Sequence, residues 1–455
     1  MIKKINTKIP ISALNIIKII QSYGYEAYFV GGCVRDLLLD KTPNDWDICT
    51  NAKPDEIISI LKSNKYRYHT VGIEFGTVTA ICKDDEYEIT TYREDGDYTD
   101  NRRPDAVNFV LNIDGDLSRR DFTINAMAYD PVNNKVIDKY NGYRHLKEGK
   151  LVAVGDADKR FKEDALRILR ALRFAIKYNL EIDEDTDNAM KDNYMLLYNI
   201  SYERITAELE KILTCGEPVW EYFMRYDYII GQVIPELRPC FGFDQNNKYH
   251  LHDVYEHILY VVDGCKTTKF EIKLAALLHD IGKPASYVED NEGWGHFYGH
   301  PEVSYEISQE VLKNRLRLTR EQSERVLTLV KYHDITIANT KASVKRALNK
   351  HGEDWLKDWF ILKQADMDDH IYPKKVSWYM DIQELKNKMQ QILNENACFT
   401  VKDLAINGKD LMNNLGLKPG KQIGLILNTL LNEVIDEKIN NSYTELIERA
   451  KEINS

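Results

Sequence analysis

Apolar positions recur at three- and four-residue spacing over Ser12–Ser22, the period of one helical face, and the pattern stops at Gly24. Ala27–Val30 then reads as a short apolar strand, and Val34–Leu39 starts a helix. A second apolar run carries Asp45 and Asp47, and Lys53–Asn64 reads as a helix with Pro54 in its first turn. Thr70–Gly72, Thr77–Cys82 and Tyr87–Tyr92 carry strand signals. From Lys162 onward helical spacing takes over. Lys162–Tyr178 places Leu166, Ile168, Leu169, Leu172, Ala175 and Ile176 on one side. Further helices are predicted from Ser201 to about Leu213, then over Pro218–Tyr226, Lys273–Leu278, Asp381–Leu393 and Gln422–Val434. The pattern predicts an α+β chain: a small mixed sheet first, then a remainder made only of helices.

Polar residues interrupt this pattern in places that matter for chemistry. Gly31-Gly32-Cys33-Val34-Arg35-Asp36 joins the first strand to a helix. A glycine pair lets backbone N–H groups approach an anion, and a helix start favours negative charge. Asp45 and Asp47, two apart on a strand, project to one face. Two adjacent carboxylates repel each other and need a cation, and hard oxygen ligands suit Mg²⁺. A phosphate cradle beside a Mg²⁺ site means nucleotide chemistry; the plain alternative is a tight turn followed by two surface aspartates. Alternation within Tyr87–Tyr92 aims Glu88 at the same pair, unless it is an ordinary exposed strand glutamate. Arg93–Pro104, polar with Gly and Pro, reads as a long hairpin connection. Arg119-Arg120-Asp121 precedes a helix expected to reach Tyr129, where guanidinium groups can meet a triphosphate and Asp121 can cap the helix. Asp138–Gly142 is a turn.

Composition narrows the classes. The chain has 455 residues, 43% hydrophobic and 29% charged, enough for several domains. A net charge of -11 argues against a uniformly basic nucleic-acid binder but leaves local patches such as Lys313–Arg320 and Val344–Lys350. Seven scattered cysteines fit a reducing compartment, and no apolar run approaches a membrane span or a signal-peptide core, so a cytoplasmic, soluble protein is expected. Of 11 histidines, seven fall between His250 and His333, including His279 beside Asp280. Imidazole with carboxylate is the ligand set of a divalent transition metal.

The Gly31–Asp47 composite resembles the nucleotidyltransferase signature of the tRNA CCA-adding enzymes and bacterial poly(A) polymerases, class II branch. Arg119–Met127, Glu163–Arg173 and His250–His333 extend the resemblance over nearly the whole chain. It implies a polymerase-beta-like head over 1–150, neck and body over 151–245, an HD metal domain over 246–370, and a helical tail over 371–455. It further implies Asp45 and Asp47 as ligands of Mg²⁺, with Glu88 as third acid. Gly31, Gly32, Arg35, Arg120 and Asp121 then lie at the nucleotide's phosphates and sugar. Glu163-Asp164-Ala165-Leu166-Arg167 matches an amino-acid template in which Asp164 and Arg167 read the base, with Arg170 and Arg173 near the phosphates. An aspartate accepting from an exocyclic amine and an arginine donating to a ring nitrogen suit cytosine and adenine. Uracil and guanine would leave a buried group unpaired, at about 1–3 kcal/mol each. His257, His279, Asp280, His300, His333 and Asp366 resemble HD-domain ligands, with Asp368 and Asp369 competing for the last place. Leu415–Lys421 resembles a tail turn that grips tRNA.

The expected activity is template-independent addition of CCA to tRNA from CTP and ATP, and the Arg93–Pro104 loop tilts it toward complete CCA. An A-adding enzyme or a poly(A) polymerase is the alternative in the same class. An HD phosphohydrolase with a nucleotide-sensing head and a non-catalytic tRNA chaperone are the others.

Overall fold

A computed structural model of the chain describes residues 9–83, 85–96, 107–247, 251–368 and 374–454. It falls into two compact units, Met1–Glu217 with Arg225–Pro235, and Pro218–Met224 with Glu236–Ser455.

The first unit is built on a seven-stranded sheet. Its strands are β1 (Ala27–Val30), β2 (Ile48–Thr50), β3 (Arg67–His69), β4 (Thr77–Cys82), β5 (Asp85–Thr91), β8 (Met127–Asp130) and β9 (Lys135–Asp138). β6 (Arg93–Asp95) and β7 (Val107–Phe109) pair separately as a hairpin. The sheet order is β3-β4-β5-β2-β1-β8-β9; β2 and β5 run parallel and every other pair is antiparallel. In β5, Tyr87 and Ile89 are buried and Glu88 faces away from them. The helices α1 (Ile11–Ser22) and α2 (Pro54–Ser63) cover the buried face. Ile16, Ile17 and Ile20 of α1 and Ile57, Ile60 and Leu61 of α2 join Phe29, Ile48, Val78 and Ile89 in one core. Each such fully buried side chain contributes roughly 1.5–3 kcal/mol. The other face carries a smaller cluster of Val30, Cys49, Tyr92, Leu117 and Ala128.

Three local expectations are corrected. The strand anticipated at Thr70–Gly72 is β3, three residues earlier; Gly72 and Gly76 take φ of 93° and 85° around a short turn, Ile73–Phe75. The segment expected to be helical up to Tyr129 is a single turn, Thr123–Asn125, followed by β8. All four β8 residues are buried between β1 and β9, and a strand buried on both faces shows no alternation to distinguish it from a helix. The helix expected over Lys162–Tyr178 is two, Ala157–Glu163 and Leu166–Tyr178, broken at Asp164 with φ -142° and ψ 100°.

Among the described residues the second unit is helical except for a hairpin of Tyr287–Glu289 with Gly295–Phe297, which departs from the purely helical expectation. Phe270–Leu278 is buried on nearly every side, as a central helix must be. Around it stand Val254–Gly264, His300–Asn314, Arg320–Lys331 and Glu353–Asp368. Farther along, Gly408–Leu415, Lys421–Ile435 and Tyr443–Asn454 share a core of Leu411, Leu430 and Leu446. Gly416, at φ 68°, ends the first of these helices, and Gly420 starts the second. No described helix is long and apolar enough to cross a membrane. All seven cysteines are free.

Candidate functional site

Asp45 and Asp47 precede β2 rather than lying within it, yet the ladder reaches them: the Val30 amide donates to the Asp47 carbonyl at 3.0 Å. Ile48 sits beside Ile89 in the parallel pair, so Asp47 and Glu88, one residue earlier on each strand, share the opposite face. Burial raises the Asp47 carboxyl above its usual range; Arg120 pulls it down, and Glu88 and Asp45 push it up again. Three carboxylates and one guanidinium therefore sit within electrostatic reach of each other. A hard divalent cation is what such crowded oxygens accommodate.

The glycine turn stands against the same guanidinium. Gly31, at φ 77°, donates its amide to the Met127 carbonyl at 3.1 Å. A Cβ there would lie 2.8 Å from Arg120 Nη1. Arg120 Nη2 donates to Asp116 at 3.0 Å, while its buried Nε has no partner among the described residues. Arg119 also pairs with Asp116. Arg35 is buried, close to where a Gly32 side chain would begin (3.5 Å). It donates to Asn125 Oδ1 and lies 4.5 Å from the Tyr178 ring centre. Asp121 is not a helix cap. Its Oδ1 accepts from the Phe122 amide and Asn125 Nδ2, and its Oδ2 accepts from Arg170 Nε at 2.8 Å. Burial opposes ionisation of Asp121, but the Arg170 charge and these bonds hold its carboxyl well below the usual range.

Arg167, Arg170 and Arg173 recur every third residue as a strip along Leu166–Tyr178, and each meets an acid. Arg167 Nη1 donates to Glu163 at 2.9 Å, Arg170 pairs with Asp121, and Arg173 Nε meets Glu208 at 2.7 Å. Glu163 is visible in sequence at helical spacing from Arg167; Asp121 and Glu208 become partners only through folding. Asp164, in the helix break, accepts both Arg204 Nη atoms (3.1 and 2.8 Å) and the Leu166 amide (3.2 Å). Arg204 lies in the first turn of Tyr202–Leu213, and nothing in the local sequence signals its partner. Two capacities remain for a ligand. Asp164 Oδ2 accepts one bond and keeps a lone pair, and Arg167 uses three of its five N–H donors, on Arg160 O, Glu163 and Arg119 O.

In the second unit four of the histidines converge. His257, His279 and Asp280 form one group, and Asp280, His300 and His333 a second, so Asp280 belongs to both. Nδ1 of His279, His300 and His333 lies 2.7, 2.8 and 2.7 Å from the carbonyls of Ala276, Phe297 and Val330. A carbonyl only accepts, so each Nδ1 carries the proton and each Nε2 presents a lone pair inward. Nε2 atoms nevertheless face each other, His300 to His333 at 3.1 Å and His257 to His279 at 3.4 Å. Asp280 Oδ1 lies buried between His300 and His333 without a hydrogen bond among the described residues, and Asp280 Oδ2 is 3.1 Å from His257. Acceptors turned on acceptors fit a pair of cations sharing one carboxylate. Burial lowers the His333 pKa, which favours the neutral, ligating imidazole.

Asp366 is buried with Oδ1 3.4 Å from His257 Nε2, whereas Asp368 is exposed. His252 stacks on Tyr260 outside the cluster. His250, Asp369 and positions 97–104 of the polar connection lie outside the described residues.

Residues 27–152 match the family model of the poly(A) polymerase head domain, and 179–240 that of a probable RNA- and SrmB-binding site of polymerase A. Residues 306–450 match a model described as tRNA nucleotidyltransferase domain 2, putative. A CCA-adding enzyme of Streptococcus agalactiae is 34% identical over 94% of both chains, and one of Lactococcus lactis is 32% identical over 97% of this chain and 96% of its own. The solved CCA-adding enzyme of Bacillus stearothermophilus in complex with CTP is 26% identical and covers 98% of both chains at a TM-score of 0.70. The Thermotoga maritima enzyme complexed with tRNA shares the fold at 22% identity and a TM-score of 0.61. With a head of crowded carboxylates against a glycine turn, and relatives spanning almost its full length, the chain belongs to the CCA-adding enzyme family of nucleotidyltransferases.

Proposed function

We propose that this protein adds C, C and A in turn to the 3′ end of tRNA, from CTP and ATP and without a nucleic-acid template. The observation that carries the reading is the meeting of Asp45, Asp47 and Glu88 with Arg120 beside Gly31. Nucleotidyl transfer in this family uses a divalent metal, generally Mg²⁺. Asp45 and Asp47, with Glu88 alongside, would hold it, and when bound it supplies charge for the primer hydroxyl and the departing pyrophosphate. Arg120 and the Gly32 amide at the helix start hold phosphates. Arg35 fixes the cradle from behind through Asn125 and Tyr178. Asp121 and Arg170 lock one another at the sugar side, and Arg173 is anchored on Glu208 behind them.

Asp164 accepts from the base amine through its remaining lone pair, and Arg167 donates to the ring nitrogen. Both are held by partners that fix their direction before the nucleotide arrives, which is how electrostatic preorganisation works. The chain is assigned a head over 1–150, neck and body over 151–245, an HD metal domain over 246–370 and a tRNA-binding tail over 371–455.

Incubation with Mg²⁺, tRNA ending at the discriminator base, and each NTP singly or CTP with ATP tests the reading. Three nucleotides added, CTP first, and none by Asp45→Ala or Asp47→Ala, is the expected result. Addition only to tRNA ending in CC means an A-adding enzyme, and long A tails on varied RNA mean a poly(A) polymerase. No incorporation overturns the reading.

The inward-facing Nε2 lone pairs around Asp280 favour a second activity, metal-dependent phosphoester hydrolysis. His257, His279, Asp280, His300, His333 and Asp366 would hold a divalent transition metal pair, which supplies water activation. Release of phosphate that requires added Mn²⁺ and is lost in His279→Ala is the expected outcome; no release from any phosphoester overturns it.

A further inference from the structure

The histidine cluster lines one wall of an open cleft of about 560 Å³ in the second unit. The same cleft is lined by the Gly295–Phe297 strand and the turn before it, and one histidine of the histidine-rich segment sits there, apart from the cluster. His296 Nε2 meets Asp290 Oδ2 at 2.8 Å, and the ring stacks on Tyr298 at 5.3 Å and 9°. Asp290 is itself fixed, its Oδ1 accepting the amides of Glu292 (2.9 Å) and Trp294 (3.0 Å). Turn geometry explains those two bonds. It does not explain why the second oxygen holds an imidazole whose other nitrogen, Nδ1, has no partner among the described residues. Asp290, Trp294, His296 and Tyr298 line the same cleft as Asp280, His300 and His333.

We propose that His296, oriented by Asp290, is the general acid of this cleft, and that its substrates are phosphate esters of ordinary alcohols, ribose hydroxyls included. The inference rests on the metal-dependent hydrolase reading. Water adds to phosphorus as the P–O bond to the alcohol breaks. The proton on His296 Nδ1 passes to the departing oxygen, so the products are the free alcohol and inorganic phosphate. His296 regains its proton from solvent. Water activation alone serves an ester whose leaving group is stable as an anion. An alkoxide leaving group needs the proton, and a positioned acid typically contributes 10²–10⁴-fold. Asp290 keeps a carboxylate in contact with the ring, because the His296 bond holds its carboxyl below the usual range. The carboxylate fixes the ring through Nε2, which leaves Nδ1 to carry the transferred proton. Exposed Trp294 and Tyr298 offer flat walls on which a nucleoside could lie.

The full-length protein, its His296→Ala and Asp290→Asn variants, and Mn²⁺ are the materials of the test. Turnover is compared for 4-nitrophenyl phosphate, which needs no acid, and adenosine 3′-monophosphate, which does. The expected result is a loss of about 100-fold or more on the nucleotide in His296→Ala, with less than about threefold on the nitrophenyl ester. Added imidazole restores the nucleotide reaction, and Asp290→Asn shows a smaller loss of the same pattern. Bound Mn²⁺ by atomic absorption and calorimetric binding of inorganic phosphate stay at the level of the unaltered protein, as does the melting temperature. Equal losses on both esters, no loss on either, or an unaltered protein that hydrolyses only the nitrophenyl ester overturns the general-acid role and leaves the metal centre standing. An unaltered protein that hydrolyses neither ester overturns the hydrolase reading, and the acid with it.

Discussion

At the scale of single residues, the head is governed by a close approach and by buried charge. Gly31 combines φ 77° with 2.8 Å from its absent Cβ to Arg120. Gly31→Ala forces a Cβ into a backbone conformation (φ 77°, ψ -131°) that glycine alone adopts readily, a strain of roughly 1–3 kcal/mol, and displaces the guanidinium. The expected outcome is at least a tenfold fall in kcat/KM for CTP addition, with a melting temperature only a few degrees lower. Asp121 illustrates the buried charge. Its folded carboxyl titrates below the unfolded value of about 3.9, so the ion pair with Arg170 contributes stability above that value. The contribution disappears as pH falls through the lower, folded value. Asp121→Asn, which leaves the half-buried Arg170 beside a neutral amide, should cost about 1.5–3 kcal/mol in urea unfolding at pH 7. The gap to the unaltered protein narrows as pH falls below about 3.9; an unchanged gap would refute the assignment. Little of this was legible beforehand. The Asp45–Asp47 spacing and the glycine pair are local patterns, but that Asp121 meets Arg170 rather than capping a helix depends on segments far apart in the chain.

Among elements, the break at Asp164 matters most. Periodicity ran unbroken from Lys162 to Tyr178, and the apolar side of Leu166–Tyr178 is as predicted. Aspartate competes with the helix for backbone amides, however, and here its carboxylate takes the Leu166 amide, stopping one helix and starting another. Asp164 thus leaves the arginine strip and turns to Arg204 on Tyr202–Leu213. Arg204 is a positioning residue in this account. Arg204→Ala should lower discrimination of CTP over UTP about tenfold or more, read as the ratio of kcat/KM values, while Mg²⁺ dependence is unchanged. A uniform fall for all nucleotides would assign Arg204 to packing alone. β8 carries a similar lesson: burial on both faces removed the alternation that identified β5.

The whole molecule divides into two compact units, each with its own core. Calorimetry should resolve two transitions. A ligand bound only by a folded unit stabilises that unit by about 2.7 kcal/mol at one hundred times its Kd. Mn²⁺ should therefore raise the transition that disappears from that effect in His279→Ala, and chelation should reverse it. No shift of that transition, or the same shift in His279→Ala, would contradict a metal site in the second unit, whereas a shift of the other transition reports the carboxylates of the head. Chelation also stops CCA addition, which Mg²⁺ restores.

The sequence by itself determined what local spacing carries: the helical character of the second unit and some of its helices, most sheet strands, the glycine turn, the paired aspartates and the wealth of histidine. Those features depend on residues within a turn or a strand of each other, so periodicity and chemistry are visible in one window. Only the tertiary structure decided which charges pair. It brought Glu88 to Asp47 across a parallel strand pair, neutralised the arginine strip with Asp121 and Glu208, and gathered four histidines around Asp280. Coulombic and hydrogen-bonding partners are chosen by distance in space, and folding sets those distances with no trace in the order of residues.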